Sequence, residues 1–432
     1  MSKMRVLLST YGSRGDVQPL VGLGLALQAL GVEALVSAPA DAEFAELLHR
    51  ADLPLAPAFM PVRQWIEMAK QSGMSLPQLA ARMVPAQFDA IAAAAVGCDA
   101  IVATGLFPSV AAAQSVAERL GIPFIYTTFC PLILPSPHHP PLEYPGWRHP
   151  PELADNLALW EFNIQAMDAL FGEAVNTHRV SIGLPTLTHV RDHVFTRRPW
   201  LAADPVLSPW QPTDLVHTVQ TGAWIMPDTR PLPSDLVAFL DAGEPPVYVG
   251  FGSMAMRAAP DAAQTAIEAV RALDRRTLLA QGWAKLAPID DRGDCFVAGE
   301  VNQQALFRRV VAVVHHGGAG TTTAAARAGV PQVVVPQVAD QPYWARRVAD
   351  LGIGVAHDGS VPTVMSLSTA LRTALAPEIR ERATAVAHTI RTDGATAAAQ
   401  MLVAAIRGEN WEDPVRSDAG NPFRRVMGSN PN

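Results

Sequence analysis

Short apolar runs alternate with helix-spaced apolar positions through the first half of the chain. Residues 6–9 form an apolar run that predicts a β-strand, and leucines then recur at helical spacing from Leu20 to Leu30 before Gly31. A second apolar run at 34–37 begins after a short turn, so the opening predicts a βαβ unit with a right-handed crossover. The same order returns before the middle of the chain, which predicts an α/β fold with a parallel sheet.

The second half repeats this order, with glycine-rich turns between strands and helices. Apolar runs predict strands within residues 246–253 and 277–283, and residues 310–329 combine a strand, a glycine-rich turn and a helix. A further strand at 332–336 completes another βαβ unit. The chain therefore predicts two Rossmann-like, doubly wound domains of similar architecture.

Two proline-rich segments stand outside these elements. Residues 131–151 contain eight prolines, which exclude a helix or a central strand and predict a long surface loop. Such a loop either lines a binding cleft or is a mobile excursion. The density of Pro and Asp across residues 204–234 predicts a linker near 210–225.

The linker divides the chain into an N-terminal domain at residues 1–215 and a C-terminal domain at 216–432. Two helices are predicted near residues 377–408, and we expect them to pack back towards the N-terminal domain. The last stretch, residues 409–432, is polar and aperiodic, which predicts a tail.

Composition and charge narrow the class of partner. The 432 residues are 49% apolar and 17% charged, which is typical of a folded protein of two domains. The net charge of −7 offers no basic surface to nucleic acid, so small molecules are the expected partners. No apolar run approaches the roughly 20 residues of a membrane span, and the N-terminus does not resemble a signal peptide. Peripheral membrane contact stays open.

The three cysteines, Cys98, Cys130 and Cys295, bear on the cellular compartment. They are widely spaced and form no C-x-x-C pair, which excludes a disulfide framework and a thiolate zinc site. We therefore expect a cytoplasmic protein. Its expected oligomeric state is a monomer or a weak dimer.

The strongest chemical signal is the segment HHGGAGTT at residues 315–322. It follows an apolar strand and opens a helix, so free backbone N–H groups and the helix dipole converge where an anion is stabilised. Glycines let the backbone approach a phosphate, and Thr321 and Thr322 are able to cap the helix and to donate to phosphate oxygens. The alternative is a tight turn that needs glycine for its backbone, with both histidines packed inside the protein.

A second signal is the segment GSRGD at residues 12–16, between the first strand and its helix. This loop lies at the carboxyl end of the strand, where open α/β sheets bind ligands. Asp16 is a candidate general base or, alternatively, an ordinary N-cap residue ahead of Pro19. The helix N-terminus is expected to keep the Asp16 carboxylate ionised and, for the same reason, to make it a weaker base.

The glycine-rich segment and its surroundings resemble the donor-binding signature of family 1 glycosyltransferases of the GT-B fold. The resemblance is strongest to the bacterial enzymes that glycosylate glycopeptide antibiotics, the vancomycin group. It covers nearly the whole chain and implies two domains facing a cleft, with the acceptor on the N-terminal domain and a nucleotide sugar on the C-terminal one. The motifs that carry it include STYGSRGDVQPLVGL (9–23), VNQQALFRRV (301–310) and GVPQVVVPQVADQPYWARRVADLGIGVAHDG (329–359).

The resemblance implies a donor site built from three groups of residues. Many relatives carry Glu at the position of Ala324, so its absence leaves both uridine and thymidine diphosphate open. The implied contacts are His316, Gly318, Gly320 and Thr321 with Gly252 and Ser253 for the diphosphate, Trp283 and Val301 for the base, and Asp340 and Gln341 for the sugar hydroxyls. Two of these groups also have a purely structural alternative: Trp283 would be a core residue, and Asp340 with Gln341 would cap a helix.

On the acceptor side, Asp16 matches the position where the antibiotic enzymes carry Asp and plant relatives carry His. The resemblance implies that Asp16 takes a proton from the acceptor hydroxyl while that oxygen attacks the anomeric carbon. Because the nucleoside diphosphate leaves from the opposite face, one displacement inverts the anomeric centre. The further candidate acceptor contacts are Ser13, Arg14, His138 and His139.

The expected activity is inverting transfer of a hexose from a UDP- or dTDP-linked donor to a hydroxyl of a hydrophobic, glycopeptide-like aglycone. No cofactor and no metal are expected, because no D-x-D run is placed to bridge a diphosphate and helix-terminal amides with His316 would meet its charge.

Several alternatives to this activity stay open. They are a nucleotide-sugar 2-epimerase of the same fold, a transferase acting on a sterol or a glycolipid, and a non-catalytic binding protein. A dehydrogenase and a serine hydrolase are disfavoured, because the chain lacks complete G-x-G-x-x-G and G-x-S-x-G motifs.

Overall fold

The computed structural model describes residues 3–251, 261–282 and 287–409, which form two lobes, each built on a parallel β-sheet. The first sheet has the order β3-β2-β1-β4-β5-β6-β7 and the second β10-β9-β8-β11-β12-β13. The strands of the first sheet are β1 (Arg5–Tyr11), β2 (Glu33–Ala38), β3 (Leu55–Pro57), β4 (Ala100–Gly105), β5 (Phe124–Thr128), β6 (Trp200–Leu201) and β7 (Val219–Gln220). Those of the second are β8 (Val247–Gly250), β9 (Thr277–Ala280), β10 (Cys295–Ala298), β11 (Ala312–His315), β12 (Gln332–Val334) and β13 (Gly354–Ala356).

Helices cover both faces of each sheet. Among the described helices, none is long and apolar enough to cross a membrane. The helices before the second sheet are α1 (Arg14–Ala29), α2 (Ala42–Arg50), α3 (Val62–Ser72), α4 (Leu76–Ala94), α5 (Phe107–Leu120), α6 (Asn156–Met167), α7 (Glu173–Ser181), α8 (Val190–Phe195) and α9 (Ser234–Asp241). The later ones are α10 (Ala262–Arg271), α11 (Gln303–Leu306), α12 (Ala319–Ala328), α13 (Gln341–Asp350), α14 (Val364–Ala374), α15 (Pro377–Ala387) and α16 (Gly394–Ile406).

Strand β1 shows why the apolar runs are nearly continuous. Val6 and Leu8 point into one core cluster, whereas Leu7 points into another on the opposite face of the sheet. A parallel strand covered by helices on both faces is buried along its length and therefore mostly apolar, since successive side chains alternate between the faces.

Strand order reverses once in each sheet, and both candidate segments lie at these points. In the first sheet β1 lies between β2 and β4, and in the second β8 lies between β9 and β11. The register pairs Tyr11 with Gly105 in one sheet and His315 with Gly250 in the other, so the carboxyl ends of these strands are level. Ligands of open α/β sheets bind at such points. The turn after β1 carries Asp16, and the turn after β11 is the glycine-rich segment.

Two elements that follow residue 215 in the sequence belong to or pack on the first lobe. The last strand of the first sheet, Val219–Gln220, lies beyond residue 215, and the chain then crosses to the second lobe. Helix α16 returns and packs on α1, where Leu402 joins the same core cluster as Leu27. A Cβ atom at Gly394 would lie 2.5 Å from the carbonyl carbon of Gly222, so a glycine is needed where α16 starts against the linker. The preceding helix α15 packs on α12 in the second lobe instead.

Candidate active site

The turn after β1 holds Asp16 in a fixed orientation. Helix α1 begins at Arg14, with Ser13 as its N-cap and Asp16 as the third residue of its first turn. The Ser13 backbone N–H donates to Asp16 Oδ2 at 2.7 Å, and the Gly15 N–H donates to Ser13 Oγ at 3.2 Å, which forms a capping box. A Cβ atom at Gly12 would lie 2.2 Å from Asp16 Oδ2, so only glycine leaves room for the carboxylate to turn back. The N-cap is therefore Ser13, not Asp16.

Burial controls the ionisation of Asp16. Desolvation raises its pKa from 3.8 to about 6, while the bonds from Ser13 act in the opposite direction and the nearby Asp340 adds a further increase. The bonds at the helix start lower the pKa, in the direction expected, but desolvation outweighs them, so the net shift strengthens this carboxylate as a base. A pKa near 6 suits a group that has to accept a proton near neutral pH.

A cavity of about 220 Å³ lies between the lobes beside Asp16. Most of it is formed by the first lobe, with aromatic and aliphatic side chains around a few hydroxyl and carboxyl groups. The proline-rich loop contributes part of this apolar wall. The lining residues are Asp16, Thr104, Gly105, Phe107, Val110, Tyr126, Thr128, Phe129, Cys130, Ile133, Leu142, Tyr144, Phe195, Ala339 and Asp340.

The loop at residues 131–151 thus lines the cavity, but through its apolar residues and not through its histidines. His138 is exposed, and the ring of His139 packs edge-on against Trp160 and Trp210. The backbone carbonyl of His139 accepts a hydrogen bond of 2.9 Å from Trp160 Nε1, which fixes this part of the loop away from the cavity. Neither histidine is among the residues that line it.

The loop provides a prediction about acceptor choice. We expect Tyr144→Ala, which removes an apolar wall of the cavity, to change the KM for the acceptor while leaving the Kd for a nucleoside diphosphate unaltered. Arg148→Gln is the matched control, because this side chain is exposed and pairs only with Glu143 among the described residues. Steady-state kinetics with two acceptors of different size measure the effect. An unchanged acceptor profile in Tyr144→Ala would show that the loop is not part of the acceptor site.

Of the other two acceptor candidates, Ser13 supports Asp16 and Arg14 points elsewhere. Arg14 Nη1 lies 3.1 Å from Glu300 Oε2 of the second lobe, and its Nε donates to Gln18 at 3.0 Å. Arg14 therefore joins the lobes and does not face the cavity in this structure.

In the glycine-rich turn, His315 is a structural residue. Its Nδ1 accepts a hydrogen bond of 3.1 Å from the Gly317 N–H, so its Nε2 carries the proton and donates to Gln332 Oε1 at 2.9 Å. The ring is fully buried, which lowers its pKa to about 3 and keeps it neutral. Gly317 has φ +93°, and a Cβ atom there would lie 2.8 Å from Val334 Cγ1. His315 and Gly317 together fix the shape of the turn.

His316 faces the start of α12. Unlike His315, it does not shape the turn through hydrogen bonds of its ring among the described residues. Its Nδ1 is buried and finds no partner among the described residues, and burial lowers its pKa to about 4. A Cβ atom at Gly318 would lie 2.7 Å from His316 Nε2, so this nitrogen lies directly beside the helix N-terminus. An anion at the helix start would therefore lie beside Nε2, the ring nitrogen that would donate a hydrogen bond to it.

The first turn of α12 presents free donors. The backbone N–H groups of Ala319, Gly320 and Thr321 have no hydrogen-bond partner among the described residues, and a Cβ atom at Gly320 would meet open space. The expectation that Thr322 also donates to phosphate is wrong, since its hydroxyl is buried and donates to Gly318 O at 2.9 Å. Thr321 is left as the hydroxyl available to an anion.

Asp340 and Gln341 start α13 on the opposite wall of the cavity. Asp340 occupies the N-cap position, but its side chain makes no capping bond; its Oδ2 accepts from Trp344 Nε1 at 2.8 Å. Burial raises its pKa. Ala339 has φ +55°, a strained conformation for alanine that turns Asp340 towards the cavity.

The side-chain oxygen of Gln341 is used for hydrogen bonds within its own loop. Its Oε1 accepts from the Gln337 and Val338 N–H groups at 2.7 and 3.1 Å. The remaining donor candidates fall in two classes. Val301 is half-buried just before α11, whereas Gly252, Ser253 and Trp283 lie outside the described residues.

The sequence did not point to several residues that the structure brings to the site. Thr104 and Thr128 lie at the carboxyl ends of strands β4 and β5 beside the cavity, and Tyr126 lines its wall. The detectable signal is positional, because polar residues at the carboxyl ends of neighbouring parallel strands meet at one edge of the sheet. Glu300 gives no such signal, since its partners Arg14 and Arg50 come from the other lobe and Arg230 is 70 residues away in the chain.

Two lobes of parallel sheet, with a buried carboxylate at the first helix of one and a glycine-rich helix start in the other, are the arrangement of the GT-B class of glycosyltransferases. Glycosyltransferase GtfE of Amycolatopsis orientalis is 54% identical over 94% of this chain and 98% of that protein, and the vancomycin aglycone glucosyltransferase of the same organism is 52% identical over 94% and 98%. The chain therefore belongs to the family 1 glycosyltransferases, in the vancomycin group.

Two further comparisons agree with this family. Residues 279–405 match the family model "Erythromycin biosynthesis protein CIII-like, C-terminal domain". The crystal structure of glycosyltransferase VinC in complex with dTDP superposes with a TM-score of 0.66 at 18% identity, covering 94% of this chain and 100% of that one, and shows the shared fold. Since the family is one of glycosyltransferases, the 2-epimerase alternative is excluded.

Proposed function

We propose that this protein transfers a hexose from a UDP- or dTDP-linked donor to a hydroxyl of a glycopeptide-like aglycone, with inversion and without a metal. The observation that carries the proposal is the placement of Asp16 and Asp340 in the lining of one cavity, with the glycine-rich turn packed at Gly317 against Gln341, the residue after Asp340. The family membership supports the reaction class, and the names of the relatives motivate the acceptor.

Asp16 acts as the general base in the proposed mechanism. Its Oδ2 is held by Ser13, and no hydrogen bond reaches Oδ1 within the described residues, which leaves this oxygen to accept the proton of the acceptor hydroxyl. The oxygen that loses the proton attacks the anomeric carbon, and the bond between that carbon and the diphosphate breaks. Fixed orientation of Asp16 contributes as much as its basicity, because the reacting atoms have to be in line.

The leaving diphosphate is stabilised at the start of α12. The amides of Ala319, Gly320 and Thr321 are free among the described residues, and His316 Nε2 lies beside Gly318 at the same helix start. The Thr321 hydroxyl would add a further donor. Donors preorganised in this way stabilise the charge that develops on the leaving group without reorganisation. Asp340 and Gln341 would orient the sugar hydroxyls from the other side.

The acceptor is proposed to insert one ring into the cavity. The side chain that bears the reacting hydroxyl would enter the cavity beside Asp16, with the rest of the aglycone outside. The aromatic wall formed by Phe107, Tyr126 and Phe195 suits such a ring. A sterol or a glycolipid stays an alternative acceptor.

A transfer assay tests the proposal. We expect a glycoside to form when the protein is incubated with a UDP- or dTDP-hexose and a glycopeptide aglycone, and an α-linked donor to give a β-linked product by NMR. Donors are first ranked by thermal shift, because a bound ligand raises the melting temperature with ln(1 + [L]/Kd). Donor binding without any transferred sugar, or retention of configuration, would contradict the proposal.

A further inference from the structure

Glu300 of the second lobe binds two arginines of the first lobe. Arg14 approaches it with both terminal nitrogens, Nη1 3.1 Å from Oε2 and Nη2 3.1 Å from Oε1. Arg50, at the end of α2, places Nη2 2.9 Å from Oε1. A two-pronged arginine contact fixes direction as well as distance. Glu300 therefore clamps the ends of two first-lobe helices onto the second lobe.

The two sides of this contact lie next to the reacting groups. Arg14 belongs to the same first turn of α1 as Asp16. Glu300 directly precedes Val301, the residue implied in contact with the nucleotide base. The Glu300 segment is itself fixed, because Asn302 Nδ2 donates to the carbonyl oxygens of Asp228 and Arg230 at 2.9 and 2.8 Å.

A separate set of contacts joins the lobes at a different place. Arg347 of α13 donates to the carbonyl oxygens of Leu207 and Val206, and Ser208 bonds to the Tyr343 hydroxyl at 2.8 Å. The lobes are thus connected independently of Glu300. Loss of the Glu300 contact would let the lobes shift relative to one another without separating.

We propose that Glu300 is a positioning residue, whose pairing with Arg14 and Arg50 sets the placement of Asp16 relative to the donor bound on the second lobe. The inference rests on the proposed function of Asp16 and of the donor site. Its effect is geometric: the Glu300 side chain is 36% exposed, and partly exposed ion pairs add little to stability, whereas a small misplacement of reacting groups is costly in rate.

A double-mutant cycle tests the inference with Glu300→Gln, Arg14→Gln and both changes together. Glu300→Gln removes the pairs with Arg14, Arg50 and Arg230, whereas Arg14→Gln removes only the first. We expect kcat to fall about tenfold in Glu300→Gln, by less in Arg14→Gln, and no further in the double variant than in Glu300→Gln, because the Arg14 contact is then already lost. The Kd for UDP or dTDP should stay within about twofold of wild type. Glu33→Gln is the matched control, since Glu33 pairs with Arg5 within the first lobe at a similar exposure, and it should keep full turnover.

Two outcomes would overturn the inference. Normal kcat in Glu300→Gln would show that the contact does not position the base. A double variant that loses the product of the two single losses would show that Arg14 and Glu300 act separately, with Arg14 on a substrate.

A second measurement does not depend on turnover. Spin labels at the exposed positions Val180 and Met365, in a Cys295→Ser background, report the distance between the lobes. We expect Glu300→Gln to broaden this distance distribution and Glu33→Gln to leave it unchanged; an unchanged distribution in Glu300→Gln would also reject the positioning role. If the wild-type protein transfers no sugar, the proposed function fails, and this measurement still decides whether Glu300 holds the lobes.

Discussion

Asp16→Asn is expected to lower turnover by about 10²–10⁴, which is the usual contribution of a positioned general base. Asparagine keeps the shape of the side chain and an oxygen that accepts from the Ser13 N–H, so the capping box is preserved. What the variant loses is the ability to accept a proton. Single-turnover kinetics with saturating donor measure the loss directly.

The variant should be at least as stable as wild type at neutral pH. Because the pKa of Asp16 is raised from 3.8 to about 6, the folded state holds the proton more tightly than the unfolded state. Ionisation of Asp16 therefore costs stability as the pH rises through about 6, and Asn removes this cost. We expect thermal unfolding to show a gain for the variant at pH 7 that disappears below about pH 4.

The same pKa predicts the pH profile of the wild-type enzyme. With an acceptor hydroxyl that does not itself ionise, kcat/KM should fall below about pH 6, as Asp16 becomes protonated. An acidic phenol should be less sensitive to Asp16→Asn, since it loses its proton with less help. Near-normal turnover of Asp16→Asn on an aliphatic alcohol would place the base elsewhere, with Asp340 as the next candidate.

The fold was largely predictable because both sheets are parallel and covered on both faces. Such strands are short, uniformly apolar and bounded by glycine, as at Gly105, which has φ +99°. The pattern predicts no element between residues 38 and 99, where the structure has α2, β3, α3 and α4. Prolines obscure this region: α3 follows Pro61, and Pro85 lies inside α4. Proline is tolerated at a helix start, but its presence weakens any prediction from periodicity.

The parts of the site that are built from residues close in sequence were predictable. The parts that depend on contacts between the two lobes were not. The glycine-rich turn and the turn of Asp16 each lie within a few residues of sequence, so their geometry is local. The pair of Arg14 with Glu300 spans 286 positions, and nothing near either residue indicates it. For the same reason the roles of His138 and His139 stay undetermined by sequence, since the orientation of their loop depends on packing against Trp160.

The second large effect is expected at His316. We expect His316→Ala to weaken the binding of UDP or dTDP by about 1.5–3 kcal/mol, or roughly 10- to 150-fold in Kd, because a hydrogen bond to a charged diphosphate is lost. The same factor should apply to every donor and leave the acceptor KM unaltered. Isothermal titration with the free nucleotide measures it without any dependence on chemistry.

A matched pair of threonine variants separates the anion site from the stability of the helix. Thr321→Val removes a hydroxyl that has no hydrogen-bond partner among the described residues, whereas Thr322→Val removes one that donates to Gly318 O at the start of its own helix. We expect the first variant to weaken nucleotide binding with little change in melting temperature, and the second to lower the melting temperature with nearly normal binding. Because His316 is neutral when the site is empty, with its pKa near 4, the bound diphosphate should raise that pKa and binding should take up protons. Unchanged affinity in His316→Ala together with no proton uptake would remove His316 from the donor site and leave the helix amides to hold the diphosphate.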